Sequence, residues 1–126
     1  MSVFTQIEKL KNNAIIDRVF KEGRRVQSGY LAMHYLKSEE TGGVIFINVA
    51  VSKKEVCLAV NRNKIKRKMR ACIIHRQEPI KKNLHSGYYI VLFKEKGVES
   101  FSSILKNFDK LFERLSTKKI TYSNDK

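Results

Sequence analysis

Apolar residues change their spacing along this chain, and each change marks an element. Between Asn12 and Gly23 they recur at Ile15, Ile16, Val19 and Phe20, which is one face of a helix. Asn12 or Asn13 can cap it, because an asparagine oxygen accepts from a free N–H of the first turn. Asp17 and Lys21, four apart with the acid first, add roughly 0.2–0.5 kcal/mol. Gly23 is expected to stop the helix as a C′ glycine does, leaving Arg24 and Arg25 in a loop. Residues 30–36 and 44–51 are rich in β-branched and aromatic side chains and read as strands joined by a turn at 39–43. The second of them is apolar on both faces, which predicts a central place in the sheet. Residues 56–60 predict a third, short strand. The run Tyr88-Tyr89-Ile90-Val91-Leu92-Phe93 predicts a fourth, broken by Gly97. Phe101, Ile104, Leu105, Phe108, Leu111, Phe112 and Leu115 then hold one face of a closing helix. That stripe is core, and each large side chain it buries stabilises the fold by at most about 1.5–3 kcal/mol. Residues 1–116 form one domain by this reading, and 117–126 form a mobile basic and polar tail.

Between the third strand and the fourth lies a helix of another kind. At 100° per residue Ile65, Met69, Cys72 and Ile73 share a narrow stripe, while Asn63, Lys64, Lys66, Arg67, Lys68 and Arg70 cover the rest. Asn61 is the expected N-cap and Arg62 the first helical residue; Pro79 fits a stop near Arg76 or Gln77. Cations in a first turn oppose the helix macrodipole at roughly 0.3–1 kcal/mol each, so helix stability does not explain Arg62 and Lys64 there. A bound anion does, since the same turn offers unpaired N–H groups for a phosphate. Ser52-Lys53-Lys54, just before the third strand, is a second basic knuckle. The plainer reading of both is a solvated charged surface.

Composition weighs on that choice. In 126 residues, 26 Lys and Arg stand against 12 Asp and Glu, for a net charge of +14. One domain of this length with such an excess suits a polyanion, and nucleic acid leads a membrane surface because the basic helix lacks Trp or Phe anchors. Nothing is apolar enough to span a bilayer, and Met1 to Lys11 lack the apolar core of a signal peptide, so a cytoplasmic protein is expected. Cys57 and Cys72, fifteen residues apart, are expected to be reduced core residues. With no CxxC and no helical pairing among His34, His75 and His85, no metal site is expected. The chain also lacks a carboxylate cluster, a histidine acid–base pair and a glycine-rich phosphate loop, so no catalytic residue is assigned to it.

The run Ala59-Val60-Asn61-Arg62-Asn63-Lys64-Ile65-Lys66-Arg67, preceded by Val51-Ser52-Lys53-Lys54, resembles the signature of the bacterial ribonuclease P protein component. Leu10-Lys11-Asn12 and Val19-Phe20-Lys21-Glu22-Gly23 match that family's first helix, so the resemblance covers most of the chain. Two departures stand out. The family usually has Arg-Asn-Arg where this chain has Arg62-Asn63-Lys64, and often Gly-Asn where it has Cys57-Leu58; lysine at 64 offers a point charge in place of a planar fork.

The order of elements predicts an α+β sandwich, αβββαβα, with helices on a small four-stranded sheet. The resemblance implies the same order, with a left-handed crossover around the basic helix against the usual right-handed rule. It further implies a protein subunit that binds a catalytic RNA and the 5′ leader of precursor tRNA, assisting leader removal, with magnesium held mainly by the RNA. RNA-binding residues implied on this basis are Lys53, Lys54, Arg62, Asn63, Lys64, Lys66, Arg67 and Arg70, and the isolated protein is expected to be monomeric. A leader cleft between first helix and sheet matches Phe20, with Ile16 and His34 at positions often aromatic in relatives. Ile16 also reads as simple core. Charge and the basic helix alone would equally suit a non-catalytic ribosomal or RNA-chaperone protein, and a stand-alone metal nuclease is disfavoured by the missing carboxylates.

Overall fold

In the computed structural model, residues 6–96 and 100–125 are described, with side chains of the last helix described as far as Leu115. In chain order the elements are β1 (Gln6–Lys9), α1 (Asn13–Glu22), β2 (Arg24–Ser28), β3 (Leu31–Lys37), β4 (Val44–Val51), α2 (Ala59–His75), α3 (Gln77–Asn83), β5 (Gly87–Phe93) and α4 (Phe101–Asp125). The strands form a single sheet in the order β1-β4-β5-β3-β2. β1, β4 and β5 run parallel, and β3 and β2 are antiparallel to their neighbours. The α+β expectation holds, with five strands in place of four.

Alternation along the strands makes two apolar layers. Leu31, Met33 and Tyr35 of β3, Ile45, Ile47, Val49 and Val51 of β4, and Tyr89, Val91 and Phe93 of β5 face α2 and α4 in the larger core. Ile65, Met69 and Cys72 enter it from α2, and Ile104, Phe108, Leu111, Phe112 and Leu115 from α4, as the stripes predict. On the other face Leu10, Val19, Tyr88 and Ile90 form a smaller core, against which Ile15, Ile16, Leu36, Phe46 and Ala50 pack. Burial on both faces gives β4 and β5 their continuous apolar sequence. Arg76 forks onto Asp109, Nε to Oδ1 at 2.7 Å and Nη2 to Oδ2 at 3.2 Å, tying the end of α2 to α4.

Several expectations are corrected. β2 takes Arg24 and Arg25, read as loop; on an edge strand only Val26 and Ser28 turn inward, so the apolar signal is one residue long. Residues 56–60 are no strand: Val56 is buried, but Leu58 and Val60 are 62% and 60% exposed, and the helix already starts at Ala59. Cys57 is accordingly exposed, whereas Cys72 is buried; both are free thiols. The basic helix does stop at His75, with Arg76 as its cap, ahead of Pro79 as expected; what the sequence did not show is that Pro79 sits in the first turn of a further helix, α3, where a missing N–H costs no intrahelical bond. Gly23 ends α1 with ordinary φ −77°. The need for glycine is close approach, since a Cβ there would lie 2.4 Å from the Val19 carbonyl oxygen and 2.5 Å from that of Tyr35. Asn12, of the two candidates, is the cap, its Oδ1 accepting from Ala14 and Ile15. The backbone of α4 continues helical to Asp125 through the segment read as a tail. Gly97 lies outside the described residues.

Candidate nucleic-acid interface

Parallel β4 and β5 end at the same edge of the sheet, with Val51 beside Phe93. Ser52 N–H donates to the Phe93 carbonyl at 3.0 Å, so the chain leaving β4 starts its turn next to Lys94. Residues 52–56 make one tight turn, closed by Val56 N–H on the Ser52 carbonyl at 2.9 Å and by the Ser52 hydroxyl on Glu55. Lys53 and Lys54 stand exposed on that turn, while Val56 plugs into the larger core behind it.

α2 follows at once. Its first turn is Ala59-Val60-Asn61, with Leu58 at the cap position and no side-chain cap; Asn61 and Arg62 N–H both donate to the Leu58 carbonyl, each at 3.1 Å. This corrects the placing of Asn61 as cap and of Arg62 and Lys64 in the first turn. Arg62 reaches back instead, as helical side chains do, and its Nη1 donates to the carbonyls of Val56 and Cys57 at 2.9 and 2.7 Å. Asn63, Lys64, Arg67 and Arg70 are exposed, and Lys66 is half-buried. Lys64, Lys66, Arg67 and Arg70, with neutral Asn63 among them, share a solvent-facing helix surface opposite Ile65, Met69 and Cys72. Burial pushes the Cys72 thiol up to about 11.

On the opposite face of the sheet, Arg25, His34, Ile90 and Asn48 form one row across β2, β3, β5 and β4, because residues in register share a face. α1 lies over this face. Phe20, 41% exposed, meets the His34 ring with centroids 4.7 Å apart and planes at 56°. Burial, then the charges of Arg25 and Lys94, hold His34 below its ordinary value, so the ring is uncharged at neutral pH. Ile16 sits half-buried against the small core and Val19 is fully buried, which makes Ile16 a packing residue and leaves Phe20 turned outward. Phe20 and His34 are thus together, with Ile16 beneath α1. Arg25 and Lys94 complete the surroundings of His34, and sequence reading missed them: one lay in a presumed loop, and the other is a lone lysine whose place depends on strand order. Among the described residues no three His, Cys, Asp or Glu side chains gather as metal ligands, and no helix is long and apolar enough to cross a membrane.

A small basic α+β domain with a cationic helix at the carboxyl ends of two parallel strands, and an aromatic contact on the opposite face, is the class defined by these features. The ribonuclease P family model matches residues 4–116, and the chain belongs to that family. Membership puts it among RNA-binding proteins of tRNA processing. Its fold is similar to that of the Staphylococcus aureus RNase P protein, at TM-score 0.67 and 22% identity over 83% of this chain and 92% of that one. The Thermotoga maritima RNase P protein is similar at TM-score 0.68 and 22% identity, over 85% of this chain and 96% of that one. No curated protein sequence matches the chain.

Proposed function

We propose that this protein is the protein subunit of ribonuclease P, binding the catalytic RNA and the 5′ leader of precursor tRNA to assist endonucleolytic removal of the leader. One observation carries the reading beyond family membership. A single edge of the sheet holds Lys53, Lys54, Lys94 and the start of the cationic helix, and Lys94 lies close enough to His34 to depress its proton affinity. A strand of RNA running from the Phe20–His34 contact toward this edge would pass Lys94 before the knuckle. Phosphates are bound by Lys64, Lys66, Arg67 and Arg70, with Asn63 as a hydrogen-bonding neighbour and Lys53 and Lys54 on the knuckle. Such contacts give affinity that is independent of sequence and steep in salt. An unpaired leader base stacks in the cleft on Phe20 and His34.

Cleavage itself is assigned to the RNA partner, which would hold the magnesium ions and supply the chemistry of water activation. The protein chain supplies grip and charge neutralisation, acting as a cytoplasmic monomer on its RNA. The test is cleavage of precursor tRNA at low magnesium by protein alone, a bacterial ribonuclease P RNA alone, and both together. Stimulation of the RNA by the protein, with no cleavage by protein alone, is expected. Cleavage by the protein alone would overturn the assignment. Equal rates with and without it would favour a ribosomal or chaperone role.

A further inference from the structure

The Arg62 guanidinium, on the basic helix, is turned onto the chain's own backbone. Its Nη1 donates to two successive carbonyls, Val56 and Cys57, at 2.9 and 2.7 Å. These carbonyls lie between the knuckle and the helix, outside any ladder, and backbone acceptors in such a place need partners. The knuckle has few other ties. Ser52 is bonded to the end of β5, Val56 N–H to Ser52, the Val56 side chain to the core, and the Cys57 thiol weakly to the Lys54 carbonyl at 4.0 Å, while Lys53 and Lys54 are exposed. The Ser52–Glu55 bond acts within the turn and does not join it to α2. Arg62 makes that junction, from the side chain of a residue whose own N–H is held by Leu58.

We infer that Arg62 is a positioning residue, setting the turn that carries Lys53 and Lys54 against the start of α2 so that both lysines and the helix cations meet one RNA backbone. Its main effect on RNA then runs through Lys53 and Lys54, and not through a phosphate of its own. The two roles differ in what they predict. A phosphate ligand that shares no partner with Lys53 or Lys54 contributes additively with them. A positioning residue is coupled to the groups it positions: once the clamp is gone, the lysines lose most of their effect, and removing them costs little more. The inference rests on the RNA-binding reading above.

The experiment is a double-mutant cycle on the full chain, measuring affinity for a bacterial ribonuclease P RNA over a range of monovalent salt. The variants are Arg62→Ala, the pair Lys53→Ala with Lys54→Ala, and all three together. In the wild-type background the lysine pair should lower the log–log salt slope by about 1.4–1.8, two contacts at 0.7–0.9 each. In the Arg62→Ala background the pair should lower it by less than half that amount. A drop of half or more overturns the positioning role. Backbone hydrogen exchange at Val56, whose N–H closes the knuckle turn, should rise in Arg62→Ala while amides around Ile65 and Met69 stay protected; unchanged exchange at Val56 also overturns it. Should Arg62→Ala fail to fold, Arg62→Met, which keeps an unbranched side chain but has no donor for the two carbonyls, takes its place under the same criteria. Wild-type protein that does not bind this RNA at all defeats the RNA reading itself, a result distinct from binding with undiminished lysine effects.

Discussion

Replacing Phe20 by Ala separates a ring that holds the fold from a ring that holds RNA. About three fifths of Phe20 is covered, since 41% is exposed. Full burial of a large apolar side chain contributes about 1.5–3 kcal/mol, so truncation should cost about 1–2 kcal/mol of stability, less than the roughly 3–5 kcal/mol of a fully buried phenylalanine. Loss of base stacking costs about 1–3 kcal/mol per base, or about 5- to 150-fold in affinity. The loss should fall on precursor tRNA alone, because mature tRNA has no leader to stack. The assay is a pair of titrations of the variant, bound to a bacterial ribonuclease P RNA, with precursor and mature tRNA, alongside a denaturant melt. Selective loss for the precursor with a small stability change is expected. Equal losses for both tRNAs, or a stability loss near that of a core phenylalanine with discrimination intact, would refute the cleft role.

Three further outcomes follow from the same geometry. Replacing exposed Arg67 and Arg70 by Ala should weaken RNA binding and reduce the salt slope by about 0.7–0.9 per contact, with the melting curve unmoved because neither residue is buried; an unchanged slope removes them from the interface. Lys64→Arg should retain or raise holoenzyme activity, since a planar guanidinium can bond two phosphate oxygens where an ammonium is a point charge; large loss with intact folding counts against the motif alignment. Alkylation at pH 8 should label exposed Cys57 rapidly and leave Cys72 unmodified until the protein unfolds, as burial pushes its thiol up to about 11; mass spectrometry finding both labelled at equal rates would contradict the packing of α2.

Periodicity reads well where burial causes it. The α4 stripe, the apolar β4 and β5, and the stripe of Ile65, Met69 and Cys72 are each found in the core they predict. Where apolarity has another cause the same reasoning fails: Leu58 and Val60 are exposed, so residues 56–60 mimic a strand without being one. Edge strands escape for the opposite reason, as β1 turns only Ile7 partly inward and β2 only Val26 and Ser28. In the candidate site, charged and aromatic residues were visible as types. Their juxtaposition depended on register and strand order, which bring Arg25 opposite His34 and Lys94 beside the knuckle. The backward reach of Arg62 depended on the helix starting three residues earlier than its asparagine suggested.

Strand order also dictates when the molecule can fold. β5, the last strand in sequence, is the middle one in space, with β1 and β4 on one side and β3 and β2 on the other. Among the described residues no strand pairing joins one pair to the other except through it. A chain emerging from the ribosome can form the β2–β3 hairpin early, but the β1–β4 half has nothing to join until residues 87–93 are made. Pairings that span so much sequence form slowly, because the loop between them must be closed first. Until Phe93 has emerged, α1 and α2 lack the strand that unites the two layers they cover. A nascent chain stalled before that point exposes two unjoined strand pairs, the kind of edge that chaperones protect from mispairing.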